Sequence, residues 1–170
     1  MRPMQSVRII NSTIALLGAT TTLLLPAAAL AATAIGHASV TIVAALALSE
    51  TAPMDFGTVG VTKAGGNVVL SPNGTRSGPA TYSFDGSSRP GQFTVAGTPN
   101  AAIAISFSAG DAVTGPGPAM ALGSLTHNAG RAPALNSAGT LSLAVGATVT
   151  VGAAQPYGSY AGSYAVTVNY

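Results

Sequence analysis

YGSYAGSYAVTVNY, residues 157–170, is the stretch on which the fold class turns. From Tyr160 onward the even positions are Tyr160, Gly162, Tyr164, Val166, Val168 and Tyr170, while the odd positions are small or polar. One apolar face alternating with one small or polar face is the mark of a half-buried β-strand. Tyr164, Val166, Val168 and Tyr170 are therefore the candidate C-terminal core strand. The sequence ends on that inward face. Chain ends fray unless they are tied down, so this strand is expected to be pinned inside a sheet.

Working backward, Leu141 to Val151 is the clearest strand. Its odd positions are Leu141, Leu143, Val145, Ala147, Val149 and Val151, and Gly146 on the other face marks a bulge. Ala101–Phe107 alternates with Ile103, Ile105 and Phe107 inward, and Gly91–Gly97 does so with Phe93 and Val95. Ala119–Leu125 and Asn67–Ser71 read as shorter strands. Pro72-Asn73-Gly74 is a turn, since Asn-Gly suits positive φ. In MDFGTVGV (54–61), Phe56 is expected in the core and Gly57 at a bulge or close backbone approach. Residues 108–118 and 126–139 read as loops, the second holding His127.

Farther upstream, SVTIVAALALSE (39–50) alternates Val40, Ile42, Ala44, Leu46 and Leu48 against a smaller face. The β-branched cluster Val40–Val43 favours a strand over an alanine-rich helix. Short strands between turn signals, with no amphipathic helix, predict an all-β fold, an immunoglobulin-like β-sandwich of about 7–9 strands in a single domain over 39–170.

The segment before it reads differently. Arg2 and Arg8 precede an apolar run from Ile14 to Leu25, then Pro26 and AAALAATA. That is the layout of a cleaved signal peptide over residues 1–32, with the cut after Ala31 or Ala32 and Ala38 as a later site. A membrane anchor would need an apolar run of about 20 residues, and this one is shorter. The expectation is export to the periplasm, cell surface or extracellular space, with no stable membrane insertion after signal removal.

Charge then takes on a different meaning. Beyond the signal, Lys63, Arg76, Arg89 and Arg131 balance Glu50, Asp55, Asp85 and Asp111. The domain is neutral and has no basic patch for nucleic acid. It has no cysteine, so stability rests on its core. With only 6% charged residues, much of the surface is small and neutral or is covered by another chain.

Catalytic and ligand-binding signals are sparse. His37 and His127 form no metal-ligand pair, and no cofactor motif is present. Ser124, His127 and Asp111 could be drawn as a triad, yet no nucleophile elbow accompanies them. Asp55 before Phe56-Gly57 reads as a turn or bulge hydrogen bond, and Asn73-Gly74-Thr75 is a sequon explained by its turn. No catalytic, cofactor or metal residue is assigned, and the chain is read as non-enzymatic.

MDFGTVGV (54–61), GQFTVAGTPNAAIAISF (91–107) and VGATVTVGAAQPYGSYAGSYAVTVNY (145–170) together resemble the bacterial exported domain-of-unknown-function family 4402. A looser likeness is to chaperone–usher pilins and spore-coat U type domains. Those are immunoglobulin-like sandwiches with a tyrosine near the end of an alternating last strand and a glycine twelve residues before it. Gly158 and Tyr170 share that separation, although Tyr170 is final rather than penultimate and disulfides are absent. The pilin likeness implies a subunit that lacks one strand and receives it from a neighbour. The partners implied are copies of itself or related subunits, and a periplasmic chaperone.

Val40, Ile42, Ala44, Leu46 and Leu48 form the candidate donor strand. They read equally as the first strand of a self-sufficient sandwich, and the sequence leaves both open. The expected role is a structural or adhesive surface protein, fimbrial or pilin-like; the alternative is a monomeric secreted or periplasmic binding module. The pattern Tyr164-x-Val166-x-Val168-x-Tyr170 also resembles the last strand of an outer-membrane barrel, but the other strands are too short and too interrupted by Gly and Pro.

Overall fold

The structure, a computed structural model, describes residues 33–170. The expected signal peptide falls on residues 1–32 and lies outside the described residues. The chain divides into two units, Met1–Ser39 and Val40–Tyr170. Of the first, residues 33–39 are described; they are exposed and without regular structure. In the second, all regular elements are strands, as expected. No helix among the described residues is long and apolar enough to cross a membrane.

Among the described residues twelve strands, rather than the expected seven to nine, form three antiparallel arrangements; the excess lies in pieces only two or three residues long. The largest is an eight-stranded sheet centred on β10 (Thr140–Val151). Along one edge, the first half of β10 pairs with β6 (Gly91–Ala96) and the second half with β3 (Gly66–Leu70). Its other edge pairs with β9 (Met120–His127). Outward from β6 lies β1 (Ala47–Ala52), and outward from β3 lies β4 (Arg76–Ser77). Beyond β9 come β8 (Ala112–Thr114) and β11 (Ala161–Gly162). Two ribbons stand apart from this sheet: β2 (Thr58–Gly60) with β5 (Ser83–Asp85), and β7 (Ala104–Phe107) with β12 (Val166–Asn169).

The alternation in β10 is what builds the core. Leu143, Val145, Ala147, Val149 and Val151 are all buried, as their odd spacing predicts. They divide between two clusters. Leu143 and Val145 join Phe93, Val95, Ile103 and Leu135 beneath the β7–β12 ribbon. Ala147, Val149 and Val151 join Val68, Tyr82, Met120 and Leu122, with Val59 and Phe84 of the β2–β5 ribbon packed against them. A twelve-residue strand spans roughly 40 Å, enough to floor both clusters.

Gly146 sits where β6 hands over to β3. A Cβ there would run into the Leu70 carbonyl oxygen and lie 2.7 Å from Ser71 C and 2.8 Å from Pro72 N. All three are backbone atoms, so the crowding could be relieved only by moving β3. The bulge belongs to the facing strand: between Gly146 and Thr148 the register of β9 slips, and Ser124 takes a positive φ of 49°.

Four expectations are corrected, beginning with the loop over residues 108–118: β8 lies within it, because the outer edge of β9 pairs Ala112 and Val113 with Ala121 and Met120. The first strand begins at Ala47, not near Ser39, because β6 supplies no edge beyond Ala96, the partner of Ala47. The chain turns there, with Gly97 N–H donating to the Gly139 carbonyl. The terminal strand is broken in two: β11 belongs to the large sheet and β12 to a ribbon, and Ser163–Ala165 cross between them. Tyr164, Val166 and Val168 are nevertheless half-buried on one face, as the period requires. Finally, His127 ends a strand rather than lying in a loop, since β10 carries the pairing of β9 as far as Val145 opposite His127.

Gly146→Ala should destabilise the fold by about 3 kcal/mol, because the added methyl overpacks a backbone junction. Gly123→Ala, where a Cβ meets nothing within 4 Å, should leave stability nearly unchanged. Urea unfolding of the two variants beside the parent checks both expectations.

Candidate functional site

The second cluster is incompletely covered. A groove of about 840 Å³ runs over Val68, Met120, Leu122, Val149 and Val151. Segment 53–61, which carries β2, forms one wall, and segment 155–164, which carries β11, forms the other. Among the described residues β2 pairs only with β5, and β11 pairs only with β8. Each wall thus offers an unpaired strand edge. Polar side chains on the lining include Glu50, Asp55 and Gln155.

Residues 46–170 match the family model described as a domain of unknown function, DUF4402. The chain belongs to the DUF4402 family. No curated protein and no solved structure matches it. The DUF4402 match opens at Leu46, which packs against the core cluster of Phe93, Val95 and Leu143.

Both groove walls of the DUF4402 domain are fixed by side chains. Asp55 Oδ1 accepts the Gly57 N–H at 2.7 Å, the turn hydrogen bond expected from sequence, and Gly57 has a φ of 65°. The Arg76 guanidinium reaches under this wall. Nη1 donates to the carbonyls of Phe56 and, at 3.4 Å, Thr58; Nη2 donates to those of Asp85 and Gly86 at 3.2 and 3.3 Å. It also lies 4.8 Å from the centre of the Phe84 ring, a cation–π distance. One arginine on β4 therefore holds the β2–β5 ribbon to the large sheet. On the opposite wall, buried Gln155 donates through Nε2 to the Pro118 carbonyl at 2.6 Å and to Tyr160 Oη at 3.0 Å. Tyr160 Oη in turn donates to the Pro156 carbonyl at 2.9 Å.

Tyr164 stands where the two clusters meet. Its ring packs edge-on against Phe93, with centroids 6.2 Å apart. Its hydroxyl is buried without a hydrogen-bond partner among the described residues, close over Gly91. Burial, assisted by the charge of Glu50, pushes the phenol up to about 12. Both causes penalise the phenolate.

Of the expected C-terminal core residues, Tyr164, Val166 and Val168 face the core; Tyr170, expected inward, instead lies exposed beyond β12 because its hydroxyl is engaged at the surface. Tyr170 Oη accepts the Thr98 N–H at 2.8 Å and donates to the Ala44 carbonyl at 2.6 Å. Thr98 Oγ1 accepts the Ala44 N–H at 2.9 Å. This clamp divides the candidate donor stretch. Leu48 pairs opposite Val95 in β1, Leu46 is half-buried, and Ala44 is tied to Thr98 and Tyr170. Val40 and Ile42 carry no regular structure and are 84% and 89% exposed.

Two side chains of the drawn triad, Asp111 and His127, are otherwise engaged. Asp111 Oδ2 accepts from Ser108 Oγ at 2.5 Å, and His127 Nδ1 accepts the Ala129 N–H at 3.2 Å while its ring lies against Phe107. Asn73 of the sequon caps its own turn, its Oδ1 accepting the Thr75 N–H at 2.9 Å. Arg76, Gln155 and the groove itself escaped the sequence reading. A lone arginine in a Gly/Ser/Pro-rich stretch carries no periodic signal. Gln155 could have been found as the polar residue in the turn before the last alternating stretch.

Because the folded-state phenol of Tyr164 titrates higher than in the unfolded chain, its contribution to stability is complete below pH 10 and is lost as pH rises toward 12. Alkaline unfolding should steepen across that window. Tyr164→Phe should flatten the added slope, as seen by denaturation at stepped pH, and should remove one late-titrating phenol from the absorbance titration.

Proposed function

We propose that this DUF4402 protein is an exported, non-catalytic structural or adhesive subunit of a bacterial surface, fimbrial or pilin-like, that assembles by strand addition. The observation that carries the reading is the apolar stretch ahead of the Tyr170 clamp. Val40 and Ile42 alternate with Thr41, lie exposed and belong to no strand. A soluble monomer gains nothing by holding such side chains in water; burial against a partner would return about 1.5–3 kcal/mol for each large one.

In this reading the large sheet and the two ribbons are the faces of an immunoglobulin-like sandwich, and a signal peptide over residues 1–32 directs export. The partners are copies of the chain or related subunits, with a periplasmic chaperone shielding the unpaired edges before assembly. Few surface charges suit a chain whose neighbours cover it.

A second reading is a monomeric binding module. The size of the groove favours it, because small-molecule sites fall in the range of about 300–1,000 Å³ and are mostly apolar.

Protein taken from its native envelope should run as a ladder on an unboiled denaturing gel and collapse to one band on boiling. Ile42→Asp should abolish the ladder while leaving the melting temperature of the monomer unchanged, because Ile42 touches little of its own domain. A single band in both lanes, with the parent protein monomeric at every concentration, favours the binding module.

A further inference from the structure

We infer that the groove between β2 and β11 is an acceptor slot for the Ala38–Ile42 segment of a second copy of this chain. This rests on the assembly reading above and names the site of that assembly. Three observations converge on it.

The first is the pair of walls. Both β2 and β11 are satisfied on one side only, by β5 and β8, and the groove lies between them. None of the residues of β5 lines the groove, and of β8 only Val113 does. The unpaired edges therefore face inward across the groove. An extended chain laid between them finds N–H and C=O partners on both sides, which a small apolar ligand does not use.

The second is the match of patterns. Val68, Met120, Leu122, Val149 and Val151 make an apolar floor. Ala38, Val40 and Ile42 fall on one face of an extended chain, and His37, Ser39 and Thr41 on the other. The segment 38–43 carries no charge, so it brings no ion of its own into the groove.

The third is reach, which selects a second copy over the chain's own segment. Ala44 is held at Thr98, beside the end of β10 where Thr140 pairs with Ala96. The floor residues Val149 and Val151 lie nine and eleven positions along β10 from Thr140, roughly 30 Å or more away. Ile42 is two residues from Ala44 and extends at most about 7 Å from it, and Val40 about 14 Å. Neither reaches that end of its own groove.

The chain has no cysteine, so single-cysteine variants report contacts directly. Ile42→Cys and Val40→Cys chains are each mixed, under oxidising conditions, with differently tagged Val59→Cys or Ala161→Cys chains, both positions lining the groove. Ser106→Cys, exposed on the other ribbon, is the control, and melting curves confirm that each variant folds. A heterodimeric disulfide to Val59→Cys or Ala161→Cys, absent with Ser106→Cys and lost when the Ile42→Cys arm also carries Val40→Asp, is the expected result.

Arm-dependent polymers that never crosslink to either wall would overturn the slot and leave strand-based assembly standing. No association in any mixture would overturn both. A monomer that releases a small molecule from the groove on denaturation would replace the slot with the binding module. Should the wall variants fail to fold, hydrogen exchange on the unsubstituted protein decides instead. The amides of β2 and Ala161–Gly162 should gain protection on assembly, and unchanged exchange there would sink the proposal.

Discussion

The structure depends on one strand having two working edges and one apolar face along its whole length. β10 gives its odd residues to both clusters and its hydrogen bonds to β6, β3 and β9. Each of those neighbours is placed by register against it rather than by its own turn. Gly146 is the point at which this division is permitted, since β3 departs across the space a side chain would fill. With no cysteine and few charges, nothing else in the domain substitutes for that burial.

How far the sequence could be read follows from the same physics. β10, β6 and β3 have continuous alternation in one register, and alternation reports a face directly. The inward residues of β10 and β6 were legible one by one, and β3 was legible as a short strand. The misreadings arose where a partner, not a pattern, decides the outcome. Val40–Leu46 alternates as well as any strand here, but the edge it would need ends at Ala96. The final stretch keeps its face through Tyr164, Val166 and Val168 while exchanging β8 for β7 as its partner, and side-chain period is blind to that exchange. His127 has loop-like neighbours, yet a bulge at Ser124 carries the ladder past it. The groove was illegible because its walls are about a hundred residues apart and are joined by no shared motif.

The two halves of the domain are finished to different degrees. Over Phe93, Val95 and Leu143, the β7–β12 ribbon lies close and is laced at its end by Ser108, whose N–H donates to the Ala165 carbonyl and whose Oγ accepts the Ala165 N–H and donates to Asp111. Over Val149 and Val151, the β2–β5 ribbon hangs from Arg76 and the opposite wall from Gln155. Polar side chains gripping backbone carbonyls hold that half open, where apolar contact holds the other half shut.

The Tyr170 clamp has a mechanical meaning. It joins the chain just ahead of β1 to the turn after β6 and to the end of β12, so three separate segments meet at one hydroxyl. A force drawn along the residues before Ala44 reaches that knot before it reaches β1. Behind the knot, the β1–β6 ladder runs along the line of pull, and its hydrogen bonds are loaded together in shear instead of being peeled singly. Tension applied ahead of Ala44 is thereby delivered to β6 and β10, at the centre of the large sheet, and bypasses the loosely closed groove.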